Sequence, residues 1–241
     1  MIDWKKASLA GAAALAALTG LTGQAHAEDG PVKFSGGVTL LTDYRLRGAS
    51  LSDTNPVIQG VVQAEVPINE TISLYGGIWA SSLDKDAGAG AMETDFYGGV
   101  MAKFDDVTVK ARYLRLVFHD ANNIDFDQFE VGVSAPVGPI GLGVGAIHDE
   151  YNGGGHSTYV YTNASYAIPD TGIGLSALVG YEDGTNWNNK INWSLGATYT
   201  TGPVTFGATY IDTNKFSPAS ADQGFNNRAG GTVVFSVGGK F

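Results

Sequence analysis

The residue types that carry chemistry are few in this chain. It contains no cysteine, and its histidines beyond His26 are His119, His148 and His156. A lipid hydrolase needs a nucleophilic serine with a histidine base within hydrogen-bond reach, and no serine motif marks such a partner here. Residues 148–150, together with His156, have metal-ligand side chains, but a glycine-rich spacer separates the two parts. We therefore expect no enzymatic activity, no cofactor and no metal site.

A second group of residues suits the lining of a water-filled pore. Asp43, Arg45 and Arg47 lie at every second position, so their side chains share one face of an extended strand. Such a cluster would form either the mouth of a channel or an ion-pair network that anchors a loop. The further pore-lining candidates, in the corresponding phase of other strands, are Glu65, Glu93, Asp95, Lys103, Lys110, Arg112, Glu130, Arg228 and Lys240. Charges that face water would tune which solutes pass, whereas charges that face each other would plug the barrel.

The elements that must position these residues are strands. Apolar and polar residues alternate with a period of two along most of the chain, which is the pattern of a strand with two different faces. The alternation predicts strands at 33–46, 58–66, 71–82, 92–104, 107–118, 126–135, 140–149, 157–168, 172–182, 190–200, 203–212 and 232–241. The phase breaks at Leu114–Leu116, which predicts a β-bulge there.

Short and long connections alternate between these strands. Short ones contain proline, aspartate or glycine, and the longer ones are polar. An even number of strands with short periplasmic turns and longer external loops is typical of outer-membrane barrels, so we expect about twelve strands and periplasmic termini. A soluble β-sandwich is the alternative. Aromatic residues near strand ends favour the barrel, because such residues form girdles at membrane interfaces. They are Tyr44, Phe104, Trp193, Tyr199, Tyr210 and Phe241.

Residues 1–27 have the parts of a secretory signal peptide. Lys5 and Lys6 precede a short apolar stretch, and Ala25-His26-Ala27 offers small residues for cleavage. We expect cleavage after Ala27 and an outer-membrane barrel over residues 28–241. Beyond the signal no apolar run reaches the roughly 18–20 residues of a transmembrane helix. A membrane location would therefore require a barrel.

The chain is acidic, with a formal net charge of −10, which argues against nucleic acid as a partner. Part of the excess forms an acidic rim in the predicted loops, at Asp53, Asp84, Asp86, Asp120, Asp149, Glu150, Asp183 and Asp222. Such a rim could attract cations, or it could bridge through divalent ions to outer-membrane lipid and lipopolysaccharide. These lipids are expected partners.

One segment carries a family resemblance. Thr42-Asp43-Tyr44-Arg45-Leu46-Arg47-Gly48-Ala49-Ser50, followed by Pro56-Val57-Ile58-Gln59-Gly60, resembles the opening signature of the TorF family of porin-like proteins. Thr42 stands where that family more often has serine. The resemblance runs from about residue 34 to the C-terminus, and it includes residues 74–82, 93–99 and 130–134. It implies an outer-membrane barrel with a pore role and says little about the substrate.

The last strand has an apolar phase that contains Phe235 and ends on Phe241. A terminal phenylalanine in this position resembles the signal that the outer-membrane assembly machinery reads, so that machinery is an expected partner. The last strand should pair with the first to close the barrel. We therefore predict an all-β, transmembrane, antiparallel up-and-down barrel in the cell outer membrane that passes small hydrophilic solutes or ions. A plugged or structural barrel is the alternative, and an outer-membrane lipid hydrolase or an adhesion barrel is less favoured.

Overall fold

Twelve antiparallel strands form a closed barrel in the computed structural model, which describes residues 32–121, 124–185, 189–214 and 229–241. The barrel strands are β1 Lys33–Leu41, β4 Val57–Pro67, β5 Ile72–Ser82, β6 Met92–Phe104, β7 Val107–His119, β8 Phe126–Val137, β9 Ile140–Tyr151, β10 His156–Ala167, β11 Ile173–Gly184, β12 Lys190–Thr201, β13 Val204–Thr213 and β14 Thr232–Lys240. Between β1 and β4 lies a small separate hairpin, β2 Arg45–Leu46 and β3 Ala49–Ser50. The predicted all-β up-and-down barrel of twelve strands is confirmed.

Alternation along the strands separates an apolar outer face from a largely polar interior. On β4, Ile58 and Val62 are each 53% exposed on the outside, whereas the intervening Gln59 is 1% exposed inside. Other barrel strands repeat this arrangement, so a belt of large apolar side chains covers the outer surface. A belt of this extent marks a surface that contacts something other than water.

The described residues contain no helix with the length and apolarity needed to span a membrane.

The two ends of the barrel differ. At one end, named the turn end, neighbouring strands are joined by short connections, such as the two residues between β6 and β7. At the other, named the loop end, the connections are longer. Phe241 lies at the turn end, where its backbone N–H and C=O both hydrogen-bond Gly36 at 3.1 Å. The Phe241 ring covers Gly36, where any Cβ would collide with it. The predicted pairing of the last strand with the first is confirmed.

Strand β7 runs without interruption, so the bulge predicted at Leu114–Leu116 is wrong. Its pairing with β6 keeps a single register along its whole length. The phase only seemed to break because Leu114 and Leu116 face the interior and are buried there. Arg115 between them points outward and pairs with Asp125 and Asp127. In a barrel strand of this kind, apolar side chains usually face outward and polar ones inward. Leu114, Arg115 and Leu116 have the reverse arrangement.

The first strand is shorter than predicted because the chain turns into the barrel after Leu41. Tyr44, which we expected in the outer aromatic girdle, is 2% exposed and packs on the interior Trp79, with ring centroids 5.5 Å apart. That placement of Tyr44 is wrong. The other girdle candidates Phe104, Tyr199, Tyr210 and Phe241 are exposed, and Trp193 is half-buried. Residues 42–56, named the first loop, therefore fill part of the lumen at the loop end.

Candidate functional site

The first loop contains a tight hairpin, formed by β2 and β3, with Arg47 at its tip. The turn residues Arg47 and Gly48 have φ values of 48° and 91°. A two-residue hairpin turn with both central residues at positive φ is a type I′ turn, which glycine favours because it has no Cβ. A Cβ at Gly48 would also lie 2.6 Å from the Cβ of Thr213 on the barrel wall. The hairpin thus fits closely against β13 and directs Arg47 toward the adjoining part of the wall, which is formed by β9 to β12.

Arg47 enters a pocket in the part of the barrel wall formed by β9 to β12. Its guanidinium donates to a carboxylate oxygen of Asp149 on β9 at 2.6 Å and to one of Glu182 on β11 at 2.5 Å. It also stacks over the ring of Tyr159 on β10, at 4.5 Å from the ring centroid. Arg47 is 4% exposed, Asp149 is fully buried and Glu182 is 1% exposed. These contacts span the lumen and close part of it.

The charge state of Arg47 follows from these neighbours. Burial alone would lower the pKa of its guanidinium. The carboxylates of Glu182 and Asp149 outweigh burial and raise this pKa above its ordinary value. Arg47 therefore remains a cation inside the barrel.

Two more side chains complete this pocket. The Ser157 hydroxyl lies 2.9 Å from Asp149 and 3.0 Å from Glu182, and Lys190 donates to the second oxygen of Glu182 at 3.1 Å. Cross-strand neighbours in the barrel register supply all five residues, since Asp149 faces Ser157, Tyr159 faces Glu182 and Glu182 faces Lys190. We name Asp149, Ser157, Tyr159, Glu182 and Lys190 the Arg47 pocket. The barrel alone sets its geometry.

Asp43 and Arg45 shape the first loop rather than reach across the lumen. Arg45 pairs with Asp43 and donates to the backbone oxygens of Gly48 and Gly230, at 3.1 and 2.9 Å. Asp43 also accepts from the hydroxyl of Ser50 at 2.5 Å. Sequence reasoning left open whether this cluster forms a mouth or anchors a loop. Asp43 and Arg45 lie in an anchoring network, and Arg47 crosses the lumen.

Glu93 and Asp95 lie side by side on β6, beneath the first loop. They are 0% and 6% exposed, and the Tyr44 hydroxyl lies near both carboxyl groups. Within the described residues, neither oxygen of Glu93 makes a hydrogen bond of ordinary geometry, and the side-chain amide of Gln59 makes none either. Buried carboxylates without such partners are costly. This acidic pair is therefore a source of strain at the loop end.

The remaining predicted charges lie nearer the turn end. Arg112 and Glu130 are cross-strand neighbours that form an ion pair, and Tyr161 donates to Glu130 at 2.8 Å. Lys103 and Lys110 are exposed although they share the inward phase of their strands. Their exposure means that water reaches the interior from this end. Glu65 and Lys240 are half-buried in the same phase, and Arg228 lies outside the described residues.

A cavity follows the inner wall formed by β11 to β14 and β1. Water can occupy about 80 Å³ of it, and Asp43, Arg45 and Arg47 border it at the loop end. Uncharged polar side chains line much of it, namely Thr39, Gln59, Ser176, Asn192, Ser194, Thr198, Thr205, Thr209 and Ser236, together with the apolar Leu41, Tyr44, Leu178, Ile211 and Val234. Across the barrel, an apolar cluster that includes Leu114, Phe118 and Phe126 fills the interior instead. At the loop end, this cavity thus lies on the side of the lumen away from the apolar cluster.

Sequence reasoning assigned none of the five residues of the Arg47 pocket to the lumen. Asp149 was expected in the exposed acidic rim, but it faces inward and is fully buried. Ser157, Tyr159, Glu182 and Lys190 were not singled out. Glu182 and Lys190 follow the inward phase of their strands, so extending the alternation to the strand ends would have found them.

Of the described histidines, His148 and His156 lie together, with ring centroids 5.8 Å apart, whereas His119 lies on another strand. The His148 ring contacts the hydroxyl of Thr158 at 3.1 Å and a carboxylate oxygen of Glu150 at 2.8 Å, whereas Asp149 between them turns to the opposite face. The His119 ring contacts the hydroxyl of Thr94 at 3.1 Å. In the part of the chain that the structure describes, no three His, Cys, Asp or Glu side chains form a group able to hold a metal ion.

Comparisons with known proteins agree with this architecture. Residues 25–241 match the family model described as "Bacterial protein of unknown function (Gcw_chp)". Among solved structures, the KdgM porin is similar with a TM-score of 0.53 at 8% identity, covering 86% of this chain and 98% of the porin. The KdgM porin in complex with disordered oligogalacturonate gives a TM-score of 0.55, also at 8% identity, with the same coverage of both chains.

A third structure, OccK5 (OpdH) of Pseudomonas aeruginosa, gives a TM-score of 0.50 at 11% identity, covering 89% of this chain and 68% of OccK5. A search of curated proteins finds no match. At such low identities these likenesses establish the barrel fold that outer-membrane porins share.

Proposed function

Because the chain belongs to the Gcw_chp family of bacterial proteins of unknown function and has the fold of outer-membrane porins, we propose that it is an outer-membrane channel for passive passage of small hydrophilic solutes or ions. The observation that carries this proposal is the cavity along the wall of β11 to β14 and β1, which borders the first loop. Hydroxyl and amide groups on that wall can exchange hydrogen bonds with a hydrated solute. The wall strands themselves place no fixed charge along the cavity, and the charges of Asp43, Arg45 and Arg47 lie at its loop end.

The proposed orientation puts the turn end in the periplasm and the loop end outside the cell. It rests on the length difference between turns and loops that such barrels share. Export would use the signal peptide at residues 1–27, which lie outside the described residues. Phe241 and Phe235, both 57% exposed, would present the assembly signal. A place in the TorF family, which the first loop resembles, belongs to the same proposal.

Charge along the route would set its selectivity. Lys103 and Lys110 at the turn end are exposed to the interior, and the Arg112 and Glu130 charges balance each other. These lysines would attract anions and repel cations at the turn end, whereas the Arg47 pocket lies at the loop end. At the loop end, the remaining acidic rim would act first on solutes that approach from outside.

The decisive experiment is planar-bilayer conductance of the refolded protein. Folded protein, identified by a gel mobility that changes on boiling, should give discrete conductance steps. Ser194→Phe narrows the cavity wall, whereas Leu195→Phe enlarges the adjacent side chain, which is 61% exposed on the outer face. We expect the first variant to lower the step size and the second to leave it unchanged. Folded protein that stays silent both as wild type and after replacement of Arg47 would refute the channel.

A plugged barrel is the second candidate, and the apolar filling of the loop end favours it. Tyr44 and Trp79 pack with Leu41, Val57 and Val234 in one buried cluster beneath the first loop. Arg47 closes the lumen further. A plugged barrel should remain silent when Arg47 is replaced, whereas a gated channel should gain conductance.

The lipid-hydrolase alternative is tested by a lipase assay on the detergent-solubilised protein. We propose that the protein has no such activity. Hydrolysis that is lost on replacing His119 or His148 would overturn this.

A further inference from the structure

We propose that the Arg47 pocket is a guanidinium-binding subsite of the passage, and that Arg47 occupies it as an internal ligand until a guanidinium-bearing solute takes its place. The inference rests on the proposed channel function and names a class of solute for it. The pocket combines two carboxylates, a serine hydroxyl and an aromatic face around one planar cation. This is the combination that guanidinium groups select, because they bind carboxylates in a fork and stack on aromatic rings.

The charge of the pocket requires a cation. Lys190 binds one oxygen of Glu182, which leaves the other Glu182 oxygen and both oxygens of Asp149 directed at Arg47. Two carboxylates and one ammonium carry one net negative charge. With Arg47 in place, Asp149 and Glu182 are almost completely buried, so Arg47 is the cation that balances this charge. An empty pocket would therefore attract a replacement cation.

The pocket is preorganised without the first loop. Its five residues belong to β9, β10, β11 and β12, and the Ser157 hydroxyl bridges Asp149 and Glu182 within the barrel wall. The continuous ladders between these strands fix the spacing. When Arg47 leaves, the carboxylates and the Tyr159 ring should keep their positions.

The pocket also borders the proposed route, and Arg47, which occupies it, belongs to a short hairpin. Arg47 and Asn192, which follows Lys190 on the same face of β12, both line the cavity. Arg47 is carried by a hairpin of only two residue pairs, which does not join the barrel ladder. A lone two-stranded hairpin is marginally stable by itself. Release of Arg47 can therefore occur while the barrel stays closed.

The test measures binding of methylguanidinium to the refolded Arg47→Ala protein by the shift of its thermal unfolding midpoint. We expect a saturable rise that an equal concentration of sodium chloride does not give. The double variant Arg47→Ala/Asp149→Asn should bind roughly tenfold more weakly or worse, because it lacks one charge-assisted fork of about 1.4 kcal/mol or more. Wild-type protein, in which Arg47 fills the pocket, should bind more weakly than Arg47→Ala.

Three results would overturn the proposal: no saturable shift in Arg47→Ala, an equal shift in the double variant, or equal binding of methylammonium. If Arg47→Ala does not fold, Arg47→Gln replaces it with a side chain of similar length and the same outcomes apply. Conductance is measured separately on the same samples. Binding by a protein that is silent in bilayers would keep the subsite and refute the channel, whereas a conducting Arg47→Ala protein without binding would refute the subsite alone.

Discussion

Replacing Arg47 with methionine should destabilise the barrel more than removing an exposed ion pair would. The substitution keeps most of the apolar stem but leaves Asp149 without a cation, because Lys190 is already bound to Glu182. Removing one partner of a buried ion pair costs about 3–5 kcal/mol. We expect a loss in this range in the free energy of unfolding.

A second substitution tests whether the cost comes from the uncompensated charge. In Arg47→Met/Asp149→Asn, the charges that remain in the pocket are Glu182 and Lys190, which balance each other. The double variant should therefore be more stable than Arg47→Met, with a coupling of about 1–3 kcal/mol between the two positions. Urea unfolding of protein refolded into lipid vesicles measures all three free energies.

Arg115→Met is the matched control. Arg115 also contacts two carboxylates, those of Asp125 and Asp127, but it lies on the outer face and is 29% exposed in its side chain. Exposed pairs contribute about 0–1 kcal/mol. Our reasoning would be refuted if Arg47→Met cost no more than Arg115→Met, or if the asparagine at position 149 gave no recovery.

Three further predictions concern other parts of the barrel. Glu93→Gln keeps the shape of this buried side chain but cannot carry a charge beside Asp95, so in urea unfolding it should not destabilise the protein and should gain up to about 3 kcal/mol. A measurable loss of stability would contradict this. Gly180→Ala places a Cβ against the Tyr159 hydroxyl and should cost about 1–3 kcal/mol, whereas Gly98→Ala, with 3.9 Å of clearance, should cost less than half as much. Lys110→Glu reverses a charge at the turn end, so the reversal potential in a salt gradient should move toward cation selectivity; an unchanged potential would place the route elsewhere.

The sequence predicted the barrel well because strand alternation is a local signal that the closed sheet reinforces at every position. Ile58 and Gln59 differ in polarity, and they also differ in the face that they occupy. The short turn at Asp105, where φ is 50°, was visible as two aspartates between two apolar runs. Such features depend only on near neighbours along the chain.

The first loop could not be predicted in this way. Residues 42–46 continue the alternation of β1, so sequence alone extends the strand through Tyr44. The departure after Leu41 depends on contacts far along the chain, such as those of Tyr44 with Trp79 and of Arg47 with Glu182. The apolar interior of β7 was misinterpreted for the same reason, since Leu114 faces a lumen that is filled rather than wet.

The motif that resembles a porin family has a physical explanation once the loop is seen inside the barrel. Asp43 accepts a hydrogen bond from the Ser50 hydroxyl, and Gly48 allows the positive-φ turn. Arg47 at the tip then reaches Asp149 on β9. Each of these roles needs a particular residue type at a particular position in the motif. A strand that faces lipid would need none of them. The motif therefore encodes a loop folded into the lumen. A substitution at Gly48 should accordingly undo the closure that Arg47 makes while leaving the barrel ladder intact.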